Sequence, residues 1–416
     1  MNTKKHYDKN DFIMTLLKGR TFIVLIILVI LFSILSENFF STSTLLMVAK
    51  HVALYGILAI GMTYVIITGG IDLSVGSVVG LGGMIGGYLI QKGLTVGGYT
   101  LYFSVPMVIL IVILLGCAIG WVNGAVITKL RVAPFIATLG TMYICRGFAN
   151  IISPGRTFSS LAGYEGLGNT GFKFMGSSIM GIPVGAILLI ILSVITAIIL
   201  RKTTFGWHVY AVGGNERAAR MSGIKPDRVK IYVYMLSGAC AALVGIINTA
   251  QLMAAHPAGG DGWEMNAITA SVLGGTSMAG GIGTIGGTFV IGVLNDGMAM
   301  CGVTEFWQNV IKGAVIILAV VIDQYQRNLQ AKMALRVKNE AKGHEKDRNT
   351  QRPAHGPHHR PRPQGPVHDS RRRHAHPQGG RDSRPRPRRR RAQFQASHGR
   401  RARRDLCREL YARGGD

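Results

Sequence analysis

No stretch of this 416-residue chain matches G-x-x-x-x-G-K-[ST], the glycine-rich cradle whose backbone amides bind nucleotide phosphates. The chain itself is therefore not expected to hydrolyse ATP, and no catalytic constellation stands out elsewhere. Gly274–Gly287 is rich in glycine but lacks the Lys-Ser/Thr ending and sits among apolar runs, so it reads as helix packing. Cysteine is sparse. Cys117, Cys145, Cys240, Cys301 and Cys407 form no C-x-x-C pair, and the first four read as free thiols within or beside apolar runs. His6, His51, His208 and His256 are dispersed without metal-ligand spacing. Neither a metal nor a cofactor is expected. Acidic residues are also few, 20 Asp and Glu against 46 Lys and Arg.

What the chain has in quantity is long apolar sequence. Its length would allow two or three soluble domains. Several runs, however, reach the roughly 17–25 residues needed to cross a bilayer. The formal net charge of +26 is unevenly placed, because residues 339–416 alone hold 22 Lys/Arg against 8 Asp/Glu. The basic balance does not by itself argue for nucleic acid. The predicted fold class is an all-α polytopic membrane protein of about ten transmembrane helices. Residues 1–20 form a cytoplasmic N-terminal segment, 21–328 a transmembrane domain, and 329–416 a cytoplasmic tail, disordered and basic from about 339.

The spans follow in order. The first, Thr21–Leu35, runs into Ser33–Asn38, which lacks a small-x-small cleavage site and reads as a retained anchor. Next come His51–Thr68, a third span ending at Ile90, Phe103–Val126, Pro134–Ile152, Ile182–Leu200, a seventh through Leu252, a short Asn266–Met278, Gly283–Met300 and Phe306–Ile322. Fourteen Lys/Arg fall in the N-tail and in 127–133 and 201–230, against four in the segments assigned outside. Basic residues beside spans resist translocation, so both chain ends are placed inside. The third span, SVGSVVGLGGMIGGYLI, carries six glycines. Glycine lowers helix propensity but lets helix backbones approach closely, or is simply common in membrane helices. LGCAIGWVNG followed by PFIATLGTMYICRG echoes GGTFVIGVLNDG followed by EFWQNVIKGA. The fourth and ninth spans run in opposite directions, as an inverted repeat produces; shared Gly/Ile/Val composition is the other explanation.

One polar interruption organises the rest. Arg201–Lys230 holds seven cationic residues between apolar flanks. Within it Asn215 is placed to cap a helix, Glu216 sits in its first turn, Arg220 in its last, and Gly223 ends it. A helix of about two turns, Glu216–Ser222, is predicted, too short to stand alone in water. A docking partner or the membrane surface should hold it; a solvated turn that only anchors topology is the plainer reading.

AVGGNERAARMSGI in this loop, GMTYVIITGGIDLSVGSVVGL at 61–81 and APFIATLGTMYICRG at 133–147 together resemble the permease subunits of bacterial ribose-type ATP-driven sugar importers. The resemblance spans roughly residues 15–335. It implies an inner-membrane permease for a monosaccharide, ribose-like pentoses leading. It also implies a separate cytoplasmic ATPase, a periplasmic sugar-binding protein, a second permease copy and membrane lipid as partners, with no nucleic acid. In that family the loop docks on the ATPase. Gly213, Gly214, Ala218, Ala219 and Gly223 would permit close contact there, and Asn215, Glu216, Arg220 and Ser222 complete the docking segment. Kinship to the cobalamin-importer permease implies a similar helix arrangement by analogy.

Polar residues in or beside spans are costly in hydrocarbon and mark candidate pathway positions. Asp72 and Ser74 either cap the following helix or lie at the cytoplasmic end of a pathway. Asn123, Asn295 and Asp296 can hydrogen-bond a hydroxylated solute or a neighbouring helix. Arg146 and Lys312 occupy equivalent places in the proposed repeat and either pair with an acid or snorkel to an interface. An ion-coupled secondary sugar transporter is the alternative function, but it needs intramembrane acids that are scarce here. A membrane-tethered nucleic-acid binder acting through RPRPRRRRA is a third. The tail's Arg/Pro/His bias can serve anionic lipid or nucleic acid. It fits an altered reading frame or artefactual extension better.

Overall fold

The computed structural model describes residues 20–285 and 289–350. It divides into a compact unit, 1–347, and a second, 348–416, almost all of which lies outside the described residues. Among the described residues there are twelve α-helices: α1 Arg20–Leu35, α2 Thr42–Ile67, α3 Val75–Gln91, α4 Val105–Lys129, α5 Pro134–Ile152 and α6 Val184–Lys202. They continue with α7 Thr204–Gly214, α8 Glu216–Met221, α9 Pro226–Leu252, α10 Trp263–Leu273, α11 Phe289–Met300 and α12 Glu305–Thr350. Short antiparallel pairs decorate one end, among them β1 Leu94–Val96 with β2 Tyr99–Leu101, and β3 Phe158–Ser159 with β6 Ala254–Ala255; β4 Ser178–Ile179 pairs with β5 Ile182–Pro183.

Six helices are long and apolar enough to cross a bilayer among the described residues: α2, α4, α5, α6, α9 and Glu305–Tyr325 of α12. The other four expected spans are helical but shorter. α1 and α3 have 16 and 17 residues, while α10 and α11 have 11 and 12. At 1.5 Å per residue the last two reach only about 16–18 Å. The described residues between them, 274–285, fold as turns tied by hydrogen bonds within the protein. Ser277 Oγ donates to Asp323 at 2.7 Å, and Arg327 Nη2 to the Gly280 carbonyl at 3.0 Å. Irregular backbone at membrane depth is tolerated only where it is buried in protein or lines a water-filled cavity.

The bundle is built around α9, which packs most extensively on α4 and also on α3 and α2. Glycine makes the α4–α9 contact possible. A methyl group on Gly116 would strike the Gly238 carbonyl, one on Gly238 would strike the Gly116 carbonyl, and one on Gly120 would strike that of Tyr234. Without a hydrophobic drive between helices in lipid, such close approach is what dispersion attraction requires. Val233, Tyr234, Ala241, Ala242, Val244, Ile246 and Ile247 of α9 are buried among its neighbours. A second cluster, with Phe32 and Phe39 against Ala59, Ala270, Leu294 and Met298, seats α1 on the bundle.

Three boundaries differ from expectation. The basic stretch 201–230 is largely helical: α6 runs on to Lys202, α7 occupies Thr204–Gly214, α8 Glu216–Met221, and α9 starts at Pro226. Proline at the first helical position lacks only a donor that would be orphaned there anyway, which suits Pro226 to the start of α9. At the other end of the chain α12 continues through Thr350, past position 339. Residues 329–350 are rich in Ala, Leu, Lys, Glu and Arg and free of proline, which favours helix. The expectations for residues 1–19 and for the tail from 351 lie outside the described residues.

Candidate functional site

The protruding feature at one end of the bundle is α8, and its geometry follows from its sequence. Asn215 is extended (φ −162°, ψ 100°) and its side chain accepts a hydrogen bond from the Ala218 amide at 3.0 Å. Gly223 stops the helix in the left-handed region at φ 89°, where glycine has no Cβ penalty. Both signals were legible in the sequence, and the helix ends one residue earlier than expected, at Met221.

An ionic clasp binds α8 to the first turns of α9. Glu216 accepts from Lys230 Nζ at 2.7 Å, while Arg220 Nη2 reaches Asp227 at 3.0 Å and Glu216 at 3.4 Å. The bond from Lys230, aided by Arg220, holds the Glu216 carboxyl below its ordinary range. Asp227, ahead of Glu216, raises the Arg220 guanidinium further. These four residues also border a cavity of about 600 Å³ closed on its other side by Ile127, Arg131, Val132 and Pro134 of the α4–α5 junction.

The nine residues expected to dock do not share one face. Gly214, Asn215, Ala218, Arg220, Ser222 and Gly223 are exposed, and Glu216 is half-buried in its clasp. Gly213 and Ala219 turn inward. A methyl on Gly213 would collide with the Ile67 carbonyl, and Ala219 is 5% exposed. Their small size serves packing within the chain. Two residues the docking set left out are prominent, Arg217 and Met221, the latter 89% exposed at the helix tip. An apolar residue in the outward half of a cationic helix was the signal available for Met221.

The candidate pathway residues separate into two groups. Asp72, Ser74 and Asn123, each about 1% exposed, form a closed network near the α8 end. Asp72 accepts from the Ser74 amide (3.1 Å), Ser74 Oγ (2.6 Å) and Ser237 Oγ (2.8 Å). Asn123 Nδ2 donates to Ser74 Oγ at 3.0 Å, and Thr141 Oγ1 donates to Asn123 Oδ1 at 2.6 Å. The α2–α3 turn is thus tied to α4, α5 and α9 at once. Ser74 occupies the N-cap position of α3 without a side-chain cap, while Asp72 takes the Ser74 amide at the start of that helix.

Arg146 and Asn295 belong to the opposite end. Arg146 Nη1 donates to the carbonyls of Pro257 (2.6 Å) and Gly259 (3.1 Å), and Nη2 reaches Asp261 at 3.4 Å, fastening the α9–α10 loop to α5. Asp261 borders a cavity of about 640 Å³ lined by α2, α10, α11 and α12, in which Asn295, Asp296 and Lys312 also lie. His51 pairs with Asp296 at 2.5 Å.

The family model described as branched-chain amino acid transport system / permease component matches residues 44–320. The ribose import permease protein RbsC of Bacillus subtilis (strain 168) is 42% identical over 308 residues, covering 73% of this chain and 91% of that relative. RbsC of Escherichia coli (strain K12) is 37% identical over 319 residues, 74% of this chain and 94% of the relative. The D-allose transport system permease protein AlsC of the same strain is 33% identical over 318 residues, 74% and 91% respectively. No solved structure matches the chain.

Proposed function

Because this chain belongs to the permease-component family matched over residues 44–320, we propose that it is the membrane-spanning subunit of an ATP-driven importer of a monosaccharide. It is not the enzyme of that system; ATP is hydrolysed on a separate subunit. The observation that carries the reading is the match, over nine-tenths of their length, to permeases of ribose and allose import. The chain is a multi-pass protein of the bacterial inner membrane, served by an ATPase and a periplasmic sugar-binding protein. A ribose-like pentose is the leading cargo.

The finer reading rests on physical argument. Ten crossing segments, with α10 and α11 as short pieces joined by internally satisfied turns, place both chain ends in the cytoplasm beside the basic α6–α9 connection. The α4–α5 and α11–α12 pairs form the two arms of an inverted repeat. Two copies of the chain flank the pathway. The exposed residues of α8, with Arg217 and Met221 added, contact the ATPase. Gly213 and Ala219 transmit its displacement to α2 and the bundle. The Asp72–Ser74–Asn123 network makes the α2–α3 turn move with α4, α5 and α9 as one block. An importer needs two packings of similar free energy that its partners bias, and a rigid block hinged at α8 supplies the moving part. The ion-coupled alternative lacks support. Its best acid, Asp72, is already bonded to two hydroxyls and an amide.

Vesicles holding this chain, its ATPase and its binding protein should accumulate labelled ribose or a related sugar only when ATP is supplied. Accumulation without ATP or without the ATPase would contradict the importer reading.

A further inference from the structure

The cavity at the end remote from α8 contains more polar chemistry than packing explains. It is walled by the first half of α2, the start of α10, the end of α11 and the start of α12. His51 and Tyr55 precede Ile67, at the α8 end of α2, by sixteen and twelve residues. That puts them about 24 and 18 Å up the helix, in the outer half of a hydrocarbon core about 30 Å thick. Its volume, about 640 Å³, lies in the range of small-molecule sites, roughly 300–1,000 Å³.

Two observations point to a ligand. Asn295 and Asp296 are 8% and 7% exposed, yet Asn295 Oδ1 and Asp296 Oδ2 have no hydrogen-bond partner among the described residues. A buried acceptor left unpaired is costly, and such groups in native proteins call for a donor from elsewhere. Asp296 is held in place by His51, which occupies Oδ1 and leaves Oδ2 free. Beside them Tyr55 and Trp263 meet edge to face, with ring centroids 5.3 Å apart. Two unpaired acceptors next to an aromatic pair, with Gln308, Asn309 and Lys312 on the α12 wall, suit a molecule with several hydroxyls and an apolar C–H face.

We propose that this cavity is a transit site for the imported monosaccharide. Asn295 and Asp296 accept bonds from its hydroxyls, the Tyr55–Trp263 pair packs against its C–H face, and His51 acts as the positioning residue for Asp296. Arg146 sets the rim by anchoring the loop that carries Asp261. The site rests on the importer reading and adds to it the place where the sugar is handled inside the membrane.

The test uses vesicles with the complete complex, comparing uptake of labelled D-ribose, D-allose and D-galactose by wild type, Asp296→Asn and Asn295→Ala. Assembly and ATP hydrolysis stimulated by sugar-loaded binding protein are measured alongside. Loss of one such bond predicts uptake lower by about ten- to a hundredfold, with assembly and stimulated hydrolysis retained. Unchanged uptake in both variants overturns the site. Parallel loss of uptake and hydrolysis in an assembled complex also overturns it, assigning the pair to the conformational cycle. Should neither variant assemble, His51→Gln, which removes the partner that positions Asp296, decides, a tenfold loss of uptake with stimulated hydrolysis retained supporting the site and normal uptake refuting it. Failure of wild type to move any of the three sugars would defeat the importer reading first, and the site with it.

Discussion

Asn215 is the residue on which the shape of α8 depends most directly. Its side chain occupies the Ala218 amide, one of four donors a helix start leaves open. Asn215→Ala should weaken the helix by about 1 kcal/mol. Amide exchange over 216–222 should quicken while exchange in α9 stays slow. Glu216 adds a pH dependence whose sign follows from its lowered carboxyl. A depressed acid contributes stability that is complete above the ordinary Glu value, about 4.3, and is lost as pH falls through the folded-state value. The clasp should therefore be unchanged from neutrality to about pH 5 and loosen in stronger acid. Because the pair is part-exposed, its worth is under about 1 kcal/mol. A spin label at Ser222→Cys should gain mobility only in that acid range, and Glu216→Gln should show the higher mobility at every pH.

Among elements, the α4–α9 contact is the least forgiving. Gly116 and Gly238 face each other with no room for a Cβ on either. Gly238→Val should cost at least about 1–3 kcal/mol through overpacking, and more if the helices separate. Reduced thermal stability of the detergent-purified chain checks it, with Gly140→Ala as a tolerated control because nothing lies within 4 Å of that position.

Helix positions were largely legible in the sequence, since apolar runs and Pro/Gly punctuation are local signals. Pro134–Ile152 coincides with the structure at both ends. The α7 helix was not legible. Thr204–Gly214 carries no strong periodicity, and its cap, the Thr203 side chain accepting from the Gly206 amide, hides within a charged stretch. For the candidate sites, identity was readable and partnership was not. Asp72 and Asn123 stood out as polar groups beside spans, but their bonds cross to other helices, to Ser237 of α9 and to Thr141 of α5. Likewise nothing local distinguishes Gly213, which packs inward, from Gly214, which is exposed. His51 and Asp296, 245 residues apart, meet only through the fold.

Taken whole, the molecule has a clasped helix at one end, an unsatisfied polar cavity at the other, and a glycine-packed bundle tying them together. On the proposed reading these are the point where force enters, the place where cargo sits and the block that moves between them. Detaching the ATPase should therefore stop transport without unfolding the permease. Gly214 and Ala218 are exposed, and nothing lies within 4 Å of a Cβ on Gly214, so bulk there obstructs a partner and not the fold. The decisive measurement is ATP-dependent sugar uptake into vesicles holding the full complex, wild type against Gly214→Trp combined with Ala218→Trp. The account predicts uptake in the wild type and its loss in the double variant, with the variant permease still inserted and thermally stable. Undiminished uptake by the double variant would contradict it.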